Sequence, residues 1–174
     1  MKKVAVFGKP GSGKSVLSKK LASTLDVPLH PLDTLVFAPN GEPLTREALQ
    51  SSHDDMLATP SWVIEGLGPL GLFQQRLEAA DTLIYIDLPY LTSYWFVTKR
   101  LLKSLFVHPE GWPEGSNVLK GTLQSYRFLK LSPTFWNAEF AERLEELSKT
   151  KQVHVIKNAA QLDRFVENIV KQGR

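Results

Sequence analysis

Gly8-Lys9-Pro10-Gly11-Ser12-Gly13-Lys14-Ser15 matches the pattern G-x-x-x-x-G-K-[ST] at every fixed position. The stretch follows an apolar run, Lys3–Phe7, and opens an amphipathic helical pattern over Ser15–Leu25. A glycine-rich turn between a strand and a helix is the context in which this pattern forms a phosphate-binding loop, and a chance Gly/Ser turn lacks that context. The sequence therefore predicts a Walker A loop, or P-loop, at residues 8–15.

Each fixed position of this motif has a physical role toward a nucleoside triphosphate. Glycines let the backbone wrap a phosphate with its N–H groups pointing inward, and the helix that follows adds its positive dipole end. Lys14 is predicted to place its charge on the β- and γ-phosphates, and the Ser15 hydroxyl to ligate Mg²⁺. We therefore predict ATP and Mg²⁺ as ligands, with GTP left open, at a phosphate site made of Gly8, Pro10, Gly11, Ser12, Gly13, Lys14, Ser15 and Val16.

The rest of the chain alternates short apolar runs with helical patterns. Continuous apolar runs, rather than strict alternation, are typical of strands buried on both faces of a parallel sheet. The 174 residues suit one α/β domain, and five strands separated by helices favour a doubly wound sheet. The predicted strands are Lys3–Phe7, Val27–His30, Ser61–Glu65, Thr82–Asp87 and Gln152–Ile156, and further helices are predicted over Ala138–Lys149 and from Leu162 to Val170.

Composition excludes several classes of function. The chain has no cysteine, which excludes disulfides, thiolate nucleophiles and cysteine-based metal sites. No stretch approaches the ~18 uninterrupted apolar residues of a membrane span, so we expect a cytoplasmic protein with no membrane partner. The net charge of +3 suits either a nucleotide or a nucleic acid and does not choose between them.

Carboxylates at strand ends are candidates for the metal site, because ligands of doubly wound sheets bind at the carboxyl ends of the strands. Glu65 ends the third predicted strand and Asp87 ends the fourth, although either carboxylate could instead cap a helix. Asp33 follows the second strand and is a candidate for the metal or for a base toward an acceptor hydroxyl. We predict Ser15 as a metal residue, with Glu65, Asp87 or Asp33 as the carboxylate beside it.

The segment from about Lys103 to Lys130 loses the regular pattern. Pro and Gly recur there among aromatic residues, and such a stretch inside a compact domain predicts either a functional lid or a disordered insert. The aromatic residues favour a lid that packs when it closes, although a static cap on the core would have the same composition. We predict one domain over residues 1–174 with a lid over about 103–130.

With these residues assembled, the chain resembles the adenylate-kinase-like branch of P-loop kinases. More closely, it is similar to the bacterial DNA topology modulation protein family, which is kinase-like in sequence. The resemblance implies a P-loop nucleoside-kinase-like fold, with a five-stranded parallel sheet, flanking helices, an acceptor-binding segment after the second strand and a lid insertion. Besides the P-loop, the matching pieces are His30–Asp33, Trp62–Gly66, Arg76–Pro89, Lys99-Arg100, Trp112–Gly115 and Tyr126–Phe128.

The resemblance also implies roles for individual residues. Asp33, Arg46, Glu65 and Arg76 would form the acceptor side, and Glu65 would serve the metal because the family's metal carboxylate follows the third strand. Arg100 and Arg127 would clamp the transferring phosphates. The adenine would lie near Lys157-Asn158-Ala159. This chain departs from the family at Glu65-Gly66, where the family usually has Asp-Gly, and at Leu67-Gly68, where the family often has Asn-Tyr.

Simpler interpretations exist for several of these residues. Arg46 could be a solvated helix residue, and Arg76 could form a surface ion pair of little energetic value. His30 is expected to be a loop residue rather than a catalyst, and Tyr94-Trp95-Phe96 is expected to pack in the core.

The leading hypothesis is an ATP-dependent phosphotransferase, a small-molecule or nucleotide kinase, with catalytic residues Lys14, Asp33, Arg100 and Arg127. Phosphoryl transfer asks a protein mainly for positioning and charge neutralisation, which these residue types provide. The alternatives are a nucleic-acid-linked NTPase and a nucleotide-binding regulatory protein with little turnover. Any effect on DNA topology would be indirect, because the chain lacks a recognisable DNA-joining constellation. The acceptor and the oligomeric state stay open.

Overall fold

The structure is a computed structural model that describes residues 1–35, 44–104 and 118–172, apart from the side chains of Asp33, Thr34 and Gln172. Five parallel strands form one sheet in the order β2-β3-β1-β4-β5. The strands are β1 (Lys3–Gly8), β2 (Leu29–Pro31), β3 (Trp62–Glu65), β4 (Thr82–Ile86) and β5 (Gln152–Ile156). All five predicted strands are present, and the second begins two residues later than predicted.

Helices connect the strands and cover both faces of the sheet, as expected for buried parallel strands. In chain order the helices are α1 (Lys14–Leu25), α2 (Leu32–Leu35), α3 (Arg46–Ala58), α4 (Leu70–Ala79), α5 (Tyr90–Ser104), α6 (Val118–Leu131), α7 (Ala138–Ser148) and α8 (Ala159–Gln172), with a short 3₁₀ turn at Ser132–Thr134. In the described part of the chain, none of these helices is both long and apolar enough to cross a membrane.

The core has two layers, one on each face of the sheet. On one face, α1 and α8 pack against aliphatic side chains such as Val4 and Ile84. The other face is largely aromatic: the ring centroids of Phe7 and Phe73 are 5.1 Å apart, and those of Tyr85 and Trp136 are 5.2 Å apart. Because both layers are anchored on β1 and β4, the loops at the carboxyl ends of these two strands have a rigid base.

The predicted irregular segment contains a helix. Helix α6 occupies residues 118–131, and residues 105–117 lie outside the described part, so the lid stays a prediction. Gly121 is tolerated inside α6, where its carbonyl also accepts a hydrogen bond from Ser125 Oγ at 3.0 Å. The expectation that Tyr94-Trp95-Phe96 packs in the core is wrong for Trp95, which is 59% exposed, because it lies on the outer face of α5.

Candidate functional site

The loop between β1 and α1 takes backbone conformations that only glycine adopts easily. Gly11 and Gly13 have φ angles of 71° and 84°. Gly11 also has no room for a side chain, because a Cβ there would lie 2.7 Å from the carbonyl oxygen of Ser93 on α5. The loop therefore lies close against α5, and Gly11 is required both by its backbone conformation and by the lack of space for a side chain.

Lys14 lies at the start of α1, where the helix dipole favours anions. Its Nζ donates a hydrogen bond to the carbonyl oxygen of Lys9 at 2.9 Å, which holds the ammonium group against the loop. Helix α1 is described throughout, and its first turn carries no acidic side chain to compete with a bound anion. Cation, helix end and curled backbone thus converge on one place, an arrangement suited to phosphate.

Ser15 and Glu65 are brought together from distant parts of the chain. The Ser15 hydroxyl donates a hydrogen bond to Glu65 Oε1 at 3.2 Å. Glu65 ends β3 and is only 6% exposed, and the backbone N–H of Gly66 is tied to the carbonyl of Val6 at 3.0 Å. A hydroxyl beside a carboxylate supplies the oxygen ligands that Mg²⁺ prefers, so these two residues fit the predicted metal.

The Asp87 carboxylate, the other candidate from a strand end, is engaged by Lys9. The Lys9 Nζ forms an ion pair with Asp87 Oδ1 and lies 4.5 Å from the centroid of the Tyr90 ring. Burial, together with the negative charge of Asp87, raises the pKa of Tyr85 at the end of β4. Lys9 was missed from the sequence because it stands at a variable position of the motif.

Arg100 lies on the face of α5 that contacts the loop. Ser93 and Val97, which approach Gly11, are seven and three residues before it, so all three share one side of the helix. Its Nη2 donates to Ser125 Oγ on α6 at 3.0 Å. The pairing of α5 with α6 is reinforced by a 2.6 Å hydrogen bond between the hydroxyls of Thr98 and Tyr126.

Two other predicted arginines lie at the surface. Arg127 is exposed on α6, and Arg46 is the exposed first residue of α3, after the capping residue Thr45. Their roles toward phosphates and acceptor stay predictions. Asp33 belongs to α2, and its side chain lies outside the described part.

Arg76 is buried rather than at the surface, so the alternative of a surface ion pair is wrong. It is 1% exposed, and its Nη2 donates to the carbonyl oxygen of Leu67 at 2.6 Å. Burial, aided by the positive charge of Arg76, lowers the pKa of His53 on α3. The described contact of Arg76 thus supports the backbone that follows Glu65-Gly66.

The connection between β5 and α8 lies beside the loop, because a Cβ at Gly13 would be 3.1 Å from Leu162 on α8. Asn158 caps α8: its Oδ1 accepts from the N–H of Gln161 at 2.9 Å, and Gln161 Oε1 accepts from the N–H of Lys157 at 2.7 Å. The predicted adenine contact stays a prediction. Val16, the last predicted residue of the phosphate site, is 73% exposed on α1.

Similar solved structures share this architecture. A shikimate kinase from Acinetobacter baumannii, in complex with shikimate, matches with a TM-score of 0.53 at 11% identity, over 99% of this chain and 92% of that chain. The chain has the fold of the P-loop kinases. An uncharacterized protein from Eubacterium ventriosum matches with a TM-score of 0.53 at 18% identity, over 97% and 96% of the two chains. A shikimate kinase from Bacteroides thetaiotaomicron matches with a TM-score of 0.50 at 14% identity, over 97% and 96%.

Comparison of the sequence with known families and proteins does not assign this chain to a family. No protein-family model matches the chain, and no curated protein matches it. At these identities the structural matches show the fold alone.

Proposed function

We propose that this protein is an ATP-dependent phosphotransferase that passes the γ-phosphoryl group to a small-molecule acceptor. The observation that carries the proposal is the 3.2 Å hydrogen bond between Ser15 and Glu65. It lies beside a complete phosphate loop, against which the Lys14 ammonium group is held. A phosphate cradle and a pair of metal-binding oxygens are the two parts that phosphoryl transfer requires of this fold.

The residues around the loop divide the work of transfer. Lys14 leaves the Lys9 carbonyl for the β- and γ-phosphates and neutralises their charge, and the N–H groups of the loop hold the same oxygens. Ser15 and Glu65 would hold Mg²⁺, which would neutralise negative charge on the phosphates. Arg100 approaches from the side of α5, where a cation stabilises charge that develops during transfer.

A small-molecule acceptor is supported by the fold neighbours that are named shikimate kinase. The acceptor would bind on the side of β2, near the α2–α3 segment that follows this strand. Asp33 would act as the base toward the acceptor hydroxyl, and Arg46 would contact the acceptor. The lid over about 103–130 would exclude water, which would otherwise take the phosphoryl group. We also propose that the chain belongs to the DNA topology modulation protein family, because the P-loop and the segments His30–Asp33, Trp62–Gly66 and Arg76–Pro89 resemble that family.

The test is acceptor-dependent release of ADP. Small acids, sugars, nucleosides and nucleotides are first screened by thermal shift with Mg²⁺ and a non-hydrolysable ATP analogue, and ligands that stabilise the protein are then assayed with ATP. The proposal predicts that at least one of them accelerates ADP release, and that Lys14→Ala removes the effect. Salt-sensitive stimulation by polynucleotide alone would instead indicate a nucleic-acid-linked NTPase. Stabilisation by nucleotide without turnover would indicate a regulatory protein.

A further inference from the structure

The ion pair between Lys9 and Asp87 joins the phosphate loop to the end of β4. We infer that Asp87 is a positioning residue for nucleotide phosphates and that it acts through Lys9. This inference rests on the proposed function, because it assigns a task to residues that surround the proposed phosphate site.

Lys9 connects Asp87 to Lys14. At one end of Lys9, the side-chain Nζ meets the Asp87 carboxylate and the face of the Tyr90 ring. At the other end, the backbone carbonyl accepts the hydrogen bond from Lys14 Nζ at 2.9 Å. Fixing the Lys9 side chain therefore also restricts the backbone carbonyl from which Lys14 moves to the phosphates.

The burial of Lys9 makes this connection rigid. The Lys9 side chain is 3% exposed, whereas that of Asp87 is 35% exposed. Burying an ammonium group costs free energy unless a carboxylate pairs with it, so the ion pair with Asp87 fixes the position of the Lys9 Nζ. The backbone adds a second constraint, because a Cβ at Gly8 would lie 2.3 Å from the carbonyl oxygen of Ile86. The start of the loop is thus seated on the end of β4 by both backbone and side chain.

The same contact distinguishes the role of Asp87 from that of Glu65. Glu65 meets Ser15, the metal residue of the motif, whereas Asp87 meets a lysine on the other side of the loop. Asp87 is therefore assigned to the conformation of the loop and not to the metal. Strand-end position alone leaves both carboxylates as metal candidates and the family resemblance favours Glu65; the cation beside Asp87 supports that choice.

The experiment measures nucleotide affinity by calorimetry for the parent, Asp87→Asn, Lys9→Met and the double variant, each with ADP and Mg²⁺. We expect each single variant to bind ADP about tenfold more weakly, equivalent to about 1.4 kcal/mol. The double variant is expected to bind as weakly as either single variant, because both remove one shared interaction. The Mg²⁺ concentration for half-maximal binding is expected to stay within about twofold of that of the parent, since the metal residues are intact.

Asp81→Asn is the matched control. Asp81 comes directly before β4, whereas Asp87 comes directly after it. The Asp81 carboxylate accepts hydrogen bonds from the backbone N–H groups of Lys2 and Lys3, at the opposite end of the strand from the loop. We expect this variant to lose thermal stability and to keep the ADP affinity of the parent. If Lys9→Met does not fold, Lys9→Arg replaces it; the bulkier guanidinium keeps the charge and is expected to weaken ADP binding about threefold, or roughly 0.65 kcal/mol.

Several results would overturn the inference. Parent-like ADP affinity in Asp87→Asn, or additive losses of affinity in the double variant, would overturn the positioning role of Asp87 and leave the proposed function unaffected. A raised Mg²⁺ requirement in Asp87→Asn would indicate that Asp87 belongs to the metal site, which would also overturn its positioning role. Failure of the parent to bind any nucleotide would overturn the proposed function and, with it, the positioning role.

Discussion

Ser15, in the first turn of α1, donates a hydrogen bond to Glu65 at the end of β3. The two residues are 50 positions apart in the chain, and the parallel pairing of β1 with β3 brings them together. The carboxylate is nearly buried, so it has a fixed position beside the hydroxyl that we propose as a metal ligand.

Ser15→Ala is expected to weaken Mg²⁺-dependent turnover much more than metal-free nucleotide binding, because we propose that the hydroxyl serves the metal rather than the phosphates. Turnover and metal-free affinity are measured on the same preparation. Ser23→Ala, an exposed serine further along α1, is the control and is expected to change neither. A parallel fall of both quantities in Ser15→Ala would remove the metal role of Ser15.

Glu65→Gln is expected to raise the Mg²⁺ concentration needed for half-maximal activity about tenfold, since residues that orient a metal's ligands typically contribute that much to metal affinity. Gln keeps the size of the side chain and can still accept the Ser15 hydrogen bond, so thermal stability is expected to change little. Activity is titrated with Mg²⁺ at saturating ATP. An unchanged Mg²⁺ requirement would contradict the assignment.

Gly11→Ala is expected to destabilise the protein by about 1–3 kcal/mol, because the left-handed φ is strained for alanine and the new Cβ meets the backbone of α5. Gly71→Ala in α4 is the matched control, since nothing lies within 4 Å of the Cβ it would add. It is expected to stabilise by about 0.5–1 kcal/mol. Denaturant unfolding of both variants checks the contrast, and equal effects would contradict the close approach of α5 to the loop.

Arg127→Ala is expected to lower kcat much more than it raises the KM for ATP, the pattern of an interaction made chiefly in the transition state. Lys130→Ala, an exposed cation on the same helix, is the control and is expected to leave both parameters near those of the parent. Steady-state kinetics with a saturating acceptor give the comparison. Unchanged turnover in Arg127→Ala would leave Arg100 as the arginine that acts on the phosphates.

The acid stability of the fold is expected to depend on Asp81. Burial opposes ionisation of this carboxylate, but the hydrogen bonds from Thr82, Lys3 and Lys2 outweigh it and lower its pKa. A carboxylate with a lowered folded-state pKa stabilises the fold above its ordinary value, and this stability is lost as the pH falls through the lowered pKa. The melting temperature of the parent is therefore expected to fall more steeply below about pH 4 than that of Asp81→Asn. Identical pH profiles would contradict this.

The sequence predicted those parts of the molecule that depend on local pattern. The strand–loop–helix around Gly8–Ser15 follows from an apolar run, glycines at fixed spacing and an amphipathic helix, and it appears as predicted. The buried parallel strands follow from uninterrupted apolar runs. The proximity of Ser15 and Glu65 was predictable because the motif fixes one residue and the family resemblance indicates the strand end that supplies the other. Their role toward a metal stays a prediction.

The remaining features depend on tertiary contacts that no local pattern encodes. Lys9 and Asp87 are 78 residues apart, and only the adjacency of β1 and β4 makes them partners. Arg76 carries a charge that predicts exposure, yet its place on the inner face of α4 buries it. Helix α6 was obscured by Gly121 and by the Pro and Gly residues that precede it in sequence.

If ATP gives its γ-phosphoryl group to an acceptor, that group can be followed into the product. ATP labelled in the γ-phosphoryl group is incubated with Mg²⁺, the protein and the acceptors selected by thermal shift, and the products are separated from inorganic phosphate. We expect label in a phosphorylated small molecule with the parent protein and not with Lys14→Ala. Label found in inorganic phosphate alone, at a rate that no acceptor changes, would contradict this expectation.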